Sequence, residues 1–406
     1  MKDNSDGKSD RREWILPSWP VFEDDDIEAV ARVLRSGKVN YWTGNIARRF
    51  ENEFAARSGT RYAIALANGT VALELALYAL GIGPGDEVIT TCRTFIASAS
   101  AVVMRGAEPV LADVDPGSQN ITAETVSRVI SPRTRAIIVV HLAGWPCEMD
   151  PIMALAKQHG LKVIEDCAQA HGATYRGTPV GGIGDMGAFS FCQDKIVTTG
   201  GEGGMLVTND KSLWEKAWSY KDHGKSYAAV YGREKGPGFH WLHESFGTNW
   251  RMTEMQAVLG SLALKKLDGW LEKRRRNAAI LTAALQGVRV LRLPEPPSHV
   301  GHAFYKYYGF LDPSYLKPGW DRGRILGCFE EEGIPALTGT CGEIYLEKAF
   351  KDAGLGPPAR LPHARLLDET GLMFLVHPTL DVEDMHIMAN RIKKVLLRAS
   401  CPESVV

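Results

Sequence analysis

Between residues 60 and 210 short apolar runs alternate with helical patterns, and that alternation constrains the fold more tightly than any other feature of the chain. The runs are Tyr62–Leu66, Glu87–Thr91, Pro109–Leu111, Ala136–Val140, Val163–Glu165, Ala188–Phe191 and Met205–Val207. Most carry β-branched or apolar residues at consecutive positions, as strands buried on both faces of a parallel sheet do. Helical patterns at Thr70–Leu80, Phe95–Met104, Thr122–Ile130 and Pro151–His159 lie between them. Strand, helix, strand in repeated succession predicts an α/β fold with a large, mostly parallel sheet. Beyond residue 250 come a long helical pattern from Thr253 to about Leu285, a strand-like Tyr305–Phe310, and helices at Arg322–Glu332 and Val382–Leu397. These predict a smaller C-terminal α+β domain. The expected division is a polar tail at 1–13, a large domain at 14–255 and a small one at 256–406.

Charge and composition narrow the partners. With 47 Lys+Arg against 48 Asp+Glu, the formal charge of −1 argues against nucleic acid, and Lys273–Arg276 reads as the solvated turn of a helix. No apolar stretch reaches the ~18 residues of a membrane span. The seven cysteines form no CxxC pair, and Met1–Glu13 has no apolar core of the kind a signal peptide carries. Reduced thiols and a cytoplasmic location are expected. His171, His223 and His302 show no ligand spacing with one another or with cysteines, so no metal site is expected.

The residues that carry chemistry cluster between Glu165 and Gly204. Asp166 ends an apolar run, placing it at the carboxyl edge of the sheet, where open α/β folds keep their ligands. Lys195 follows the run Ala188–Phe191 and precedes the glycine-rich Thr198–Gly204, a setting for an amine nucleophile. Together they suit pyridoxal 5'-phosphate, a lysine holding the aldehyde and a carboxylate keeping the ring nitrogen protonated. Gly69 and Thr70 open a helix after Tyr62–Leu66, so amides and a hydroxyl point where a phosphate is stabilised; a plain N-cap is the alternative. Phe95 is a candidate for stacking on the flat ring, with a core position as its alternative. Gly182–Gly187 satisfies GxGxxG but leads into a strand instead of from a strand into a helix, which argues against a dinucleotide enzyme. Cys167 and Cys192, on either side of the site in sequence, read as packing residues.

Six motifs stand in the order of one family: Asn68–Leu73, Thr94–Ala97, Glu165–Gly172, Phe189–Lys195, Gly201–Gly204 and Asn249–Glu254. Over about residues 15 to 400 the chain resembles the DegT/StrS family of pyridoxal-phosphate-dependent sugar aminotransferases. The resemblance implies a type I aminotransferase fold, a homodimer with shared active sites, glutamate as amino donor and a keto-sugar, nucleotide-linked, as acceptor. It implies Lys195 as the Schiff-base lysine, Asp166 on the pyridine nitrogen, Gln169 near the ring hydroxyl, and Gly69, Thr70 and Ser190 on the phosphate. Asn249 is implied to reach the phosphate of the neighbouring subunit. Tyr41, Trp42 and Arg251 are the candidates for the substrate pocket, against aromatic packing and an interface ion pair. A keto-cyclitol acceptor stays open. A related dehydratase activity goes with histidine in place of the lysine, which Lys195 opposes, and the intact Lys195, Asp166 and Gly69–Thr70 set opposes a scaffold without turnover. Two departures stand out. Glu202 lies seven residues after Lys195, one more than the family spacing, predicting a local bulge; and Gly333-Ile334 is followed by Pro335 to Tyr345 without the usual His-Tyr pair.

Overall fold

A computed structural model describes residues 16–232 and 241–401; the expected tail at 1–13 lies outside the described residues. All seven expected strands form, and they make one sheet: β1 (Tyr62–Leu66), β2 (Glu87–Thr91), β3 (Glu108–Ala112), β4 (Thr134–Val140), β5 (Lys162–Asp166), β8 (Met186–Ser190) and β9 (Gly204–Thr208), in the order β1-β9-β8-β5-β4-β2-β3. The run from β8 through β5, β4 and β2 to β3 is parallel, and β9 runs antiparallel to both β8 and β1. The carboxyl ends of β1, β2, β5 and β8 therefore share one edge with the start of β9. Helices α1 (Asp24–Ser36) and α2 (Ile46–Ser58) precede the sheet, and α3 (Gly69–Leu80), α4 (Ala97–Met104), α5 (Ala123–Ser127), α6 (Met149–His159), α7 (Lys211–Tyr220) and α8 (Tyr227–Tyr231) connect or follow its strands. Between β5 and β8, the two-residue strands β6 (Thr174–Tyr175) and β7 (Thr178–Pro179) pair with β11 (Val300–Gly301).

Two helix boundaries move for local reasons. The expected helix at Phe95 begins at Ala97, with Ile96 as its N-cap, which frees Phe95 from the helix. The pattern Thr122–Ile130 shortens to α5, opened by reciprocal Thr122–Thr125 capping and closed by Arg128.

Helix α9 (Glu254–Leu285) links the sheet to the C-terminal part. Thr253 caps it reciprocally with Gln256. Its first half buries Ala257, Ala263, Leu267 and Leu271 against Phe50, Phe54 and Phe191; its second half buries Ala278, Leu281 and Leu285 in a different core. That second core sits on an antiparallel sheet of β10 (Leu291–Arg292), β12 (Tyr307–Leu311), β14 (Gly371–Phe374) and β13 (Ala336–Leu337). Helices α10 (Arg322–Glu331) and α13 (Val382–Ala399) supply Phe329, Met388 and Ile392 to it, while α11 (Lys348–Ala353) and α12 (Pro362–Thr370) pack Phe350 and Leu367 toward the large sheet. The basic run on α9 is not the solvated turn its composition predicts. Arg274 is 1% exposed, because helical periodicity turns it inward between the exposed Lys273 and Arg275. No helix among the described residues is long and apolar enough to cross a membrane.

Candidate active site

The shared sheet edge opens onto a cleft of about 720 Å³. Of the expected site residues, Gly69, Thr70, Phe95, Asp166, Gln169, Ser190 and Lys195 all line it. Lys195 sits in the loop between β8 and β9. That loop is drawn closed by the Phe191 amide on the Gly203 carbonyl (2.7 Å) and the Thr199 amide on the Phe191 carbonyl (3.2 Å). At the extra glycine, Gly200 and Gly201 take φ of 84° and 122°, and the Thr199 hydroxyl donates to the Glu202 carbonyl at 2.6 Å. From the N-terminal segment, the Trp19 indole donates to the Lys195 carbonyl at 3.0 Å.

The Lys195 side chain is 18% exposed, and its Nζ donates to the Tyr305 hydroxyl at 3.2 Å. Tyr305 in turn donates to Asp194 Oδ2. Burial and the Asp194 charge hold the Tyr305 phenol protonated far up the pH scale. Its proton is committed to Asp194, so an oxygen lone pair faces Lys195. Asp194 Oδ1 lies 3.5 Å from Lys195 Nζ, and although burial opposes it, the Lys195 charge and the Tyr305 hydroxyl hold Asp194 below the usual carboxylate range.

Asp166, at the end of β5, is buried. Its Oδ2 accepts from the Ser98 hydroxyl at 2.7 Å and its Oδ1 from the Ala168 amide at 3.1 Å. Ser98 must donate to the carboxylate, so across its 3.0 Å contact with the Thr94 hydroxyl it accepts. Burial pushes the Asp166 carboxyl up, while Ser98, Ala168 and the charge of Lys195 pull it down. The preceding residue points elsewhere. Glu165 accepts from the amides of Gly181, Ile183 and Gly184 at 2.7–2.8 Å and pairs with His141 Nε2 at 3.1 Å. The amide of Cys147 donates to His141 Nδ1, so the imidazole proton sits on Nε2 and goes to Glu165. The GxGxxG stretch therefore belongs to a turn that clasps a carboxylate and feeds β8.

Opposite Lys195, the N-terminus of α3 is capped by Asn68, whose Oδ1 accepts from the Val71 amide at 3.0 Å. A Cβ on Gly69 would stand 2.7 Å from Ser190 Cβ, and one on Gly204 would stand 2.3 Å from the Asn68 carbonyl oxygen. Glycine is required at both places for β8, β9 and α3 to converge. Phe95 is 66% exposed on the cleft wall, not a core residue. Gln169 is oriented by the Ala143 amide, which donates to its Oε1 at 2.8 Å.

Asn249, Tyr41, Trp42 and Arg251 do not line this cleft. They gather around Lys221 and Asp222. The Trp42 indole donates to Asp222 Oδ2 at 2.7 Å, Arg251 donates to Asp222 Oδ1 at 2.6 Å, and Asn249 pairs with Asp222 through the backbone. Tyr41 is buried, donates to Glu51 at 3.2 Å and carries Lys221 Nζ 3.6 Å from its ring centroid. Within one chain, the expected substrate-pocket residues thus form a packed ionic cluster, with Arg251 in an internal ion pair. His302 is buried and accepts from the Phe304 amide; His223 is exposed; His171 is buried beside Phe189 and Phe191. Sequence reasoning missed Trp19, Thr94, Ser98, His141, Asp194, Tyr305 and Lys306. Of these, only Asp194, adjacent to Lys195, and Thr94 and Ser98, beside Phe95, lay near residues already singled out.

An amine and a buried carboxylate lining one cleft at the carboxyl edge of such a sheet fit a pyridoxal-phosphate-dependent aminotransferase of fold type I, the fold of the similar solved aminotransferases. Residues 20–393 match the DegT/DnrJ/EryC1/StrS aminotransferase family, and the chain belongs to that family. The structure is similar to that of the aminotransferase from Psychrobacter cryohalolentis, with 53% identity, 95% of this chain and 100% of that one covered, and a TM-score of 0.93. In sequence it is 42% identical to a UDP-N-acetyl-3-dehydro-alpha-D-glucosamine 3-aminotransferase of Acidithiobacillus ferrooxidans, over 70% of this chain and 73% of the relative. It is 37% identical to the dTDP-3-amino-3,4,6-trideoxy-alpha-D-glucose transaminase of Streptomyces venezuelae, over 87% of each.

Proposed function

We propose that the protein moves an amino group from an amino acid, glutamate, to a nucleotide-linked keto-sugar in amino-sugar biosynthesis. The observation that carries this reading is Lys195 Nζ, held on the cleft by Tyr305 and facing the buried Asp166. The residues present fit pyridoxal 5'-phosphate. Asp166 spends its two oxygens on one protein hydrogen bond each, which leaves lone pairs for a ring N–H. Gly69 brings the α3 N-terminus within reach of Ser190, a cradle that any side chain there would fill. In this reading Lys195 holds the cofactor covalently, Asp166 its ring nitrogen, Gln169 its ring hydroxyl side, Phe95 its face, and Gly69, Thr70 and Ser190 its phosphate.

The bound cofactor supplies an electron sink for the carbon that loses or gains the amino group. The protein does the rest. Lys195 Nζ would take and return the proton at the substrate carbon. Tyr305 and Asp194 aim that amine. Asp166, raised by burial and pulled back by Ser98 and Ala168, would hold the proton on the ring nitrogen. Nucleotide-linked substrates in the names of both sequence relatives support the acceptor class.

The same reading includes a homodimer with shared active sites, in which Asn249 serves the cleft of the neighbouring subunit. Apolar side chains left exposed in the single chain support it: Phe246 is 97% exposed, and Phe95 and Met104 are also uncovered. Two domains are supported by the change of core along α9, which falls between Leu271 and Ala278, inside the helix and not at 255/256. A cytoplasmic location is supported by seven unpaired cysteines.

The test is spectroscopic. With cofactor bound, glutamate should bleach the visible band, and the correct keto-sugar or keto-cyclitol from a panel should restore it. No bleaching by any amino acid would contradict the transfer reaction; restoration by a free keto-cyclitol alone would replace the nucleotide-sugar acceptor.

A further inference from the structure

Behind the cleft wall lies a second cavity of about 250 Å³, which shares Asp194, Tyr305 and Lys306 with the first. Its other polar lining comes from Arg274, His377 and the N-terminal segment ending at Trp19. Arg274 Nη1 donates to the carbonyls of Phe304 and Tyr305 at 3.3 and 3.2 Å, but its Nε and Nη2 have no partner among the described residues. The guanidinium stands 5.3 Å from the Trp19 ring centroid, and burial pushes its pKa down to about 9.

The charges around this cavity do not balance. Asp194 is the carboxylate whose field reaches both Arg274 and Lys306. It is already engaged by the Tyr305 hydroxyl, by Lys195 at 3.5 Å and by Lys306 at 3.8 Å. Lys195, Lys306 and Arg274 thus place three cations around one anion. Lys306 is depressed first by burial, then by its cationic neighbours against the pull of Asp194. His377, its Nδ1 bonded to the Thr379 hydroxyl at 2.7 Å, is pushed down to about 4 by burial and by Arg274 and Lys306. It is therefore neutral and adds no fourth charge, and its shift registers the positive field of both cations. Desolvated cations without a counter-ion are unfavourable, and an incoming anion relieves them.

We propose that this cavity is a carboxylate subsite, separate from the cradle at α3, in which Lys306 and Arg274 take a carboxylate of the amino donor or of the keto acid it leaves. The donor assignment rests on the aminotransferase reading. The position suits it: the wall between the two cavities is Tyr305 and Lys306, and Tyr305 touches the reactive Lys195 amine.

Glutarate, a dicarboxylate with no amine to transfer, is the probe, with calorimetry on the full-length protein as readout. Wild type should bind it saturably. Lys306→Met should weaken binding at least ~10-fold, as loss of one partner of a desolvated charge pair does. Lys306→Arg, which keeps the charge, should retain most of it and shows that the position itself tolerates change. The glutamate KM should rise in Lys306→Met in parallel with the glutarate affinity. Glutarate binding indifferent to the charge at 306 would overturn the proposal, as would displacement of glutarate by equal concentrations of inorganic phosphate, which would make the occupant a free anion. If glutarate binds as expected while no amino acid reacts, the carboxylate pocket stands and the aminotransferase reading falls.

Discussion

Among the described residues, two lysine–carboxylate–tyrosine groups differ in access: one faces open space and the other does not. Lys195, Asp194 and Tyr305 stand on a cleft, the amine donating to a phenol oxygen that has a lone pair free for it. Lys221, Glu51 and Tyr41 are sealed inside: Lys221 is 0% exposed, its Nζ has no hydrogen-bond partner among the described residues, and burial pushes its pKa down to about 8. A depressed lysine is often taken as the mark of a nucleophile. Here Lys221 is depressed yet enclosed, and Lys306 is depressed as well, so the functional assignment follows access and geometry instead. Lys221 serves packing, its ammonium resting on the Tyr41 ring between Glu51 and Asp222.

That contrast can be broken by substitution. Lys195→Ala should remove the visible cofactor band and reduce turnover by at least ~1000-fold with little change in thermal stability, as loss of a positioned proton carrier does. Asp166→Asn should lower turnover roughly 100-fold while the cofactor remains bound, read by spectrum and steady-state rate together. Ser98→Ala removes a hydrogen bond to a charged group, worth roughly 1.5–3 kcal/mol, and should slow turnover about 10-fold near neutral pH. Its sign with pH is fixed. Burial raises the Asp166 pKa and Ser98 lowers it, so without Ser98 the carboxylate protonates at higher pH and the acid limb of the rate profile moves up. Lys221→Met should leave the glutamate half-reaction within ~3-fold of wild type, but should destabilise the fold by about 3 kcal/mol, because Glu51 and Asp222 lose a buried cation. Chemical denaturation gives the second quantity and single-turnover absorbance the first.

The large sheet was legible because its strands are consecutive apolar runs, a pattern that burial on both faces imposes. Asp166 and Lys195 were legible for a related reason: each follows such a run at the sheet edge. What stayed hidden depends on distance along the chain. Trp19 reaches the Lys195 carbonyl from 176 residues away and Tyr305 reaches the Lys195 amine from 110, and neither contact leaves a local pattern. Arg274 was misread because a basic run looks solvated until the helix phase is known. Tyr41 and Trp42 look alike as aromatic neighbours; only the packing of α2 and of the 221–222 turn reveals that they clothe a buried charge cluster.

The most direct measurement is chemical. Borohydride reduction of the cofactor-loaded protein, followed by peptide mass mapping, fixes the cofactor to the lysine that holds it. The account predicts the label on Lys195 in wild type and in Lys221→Met alike, and none in Lys195→Ala. A label on Lys221, Lys225 or Lys306 in wild type would contradict it.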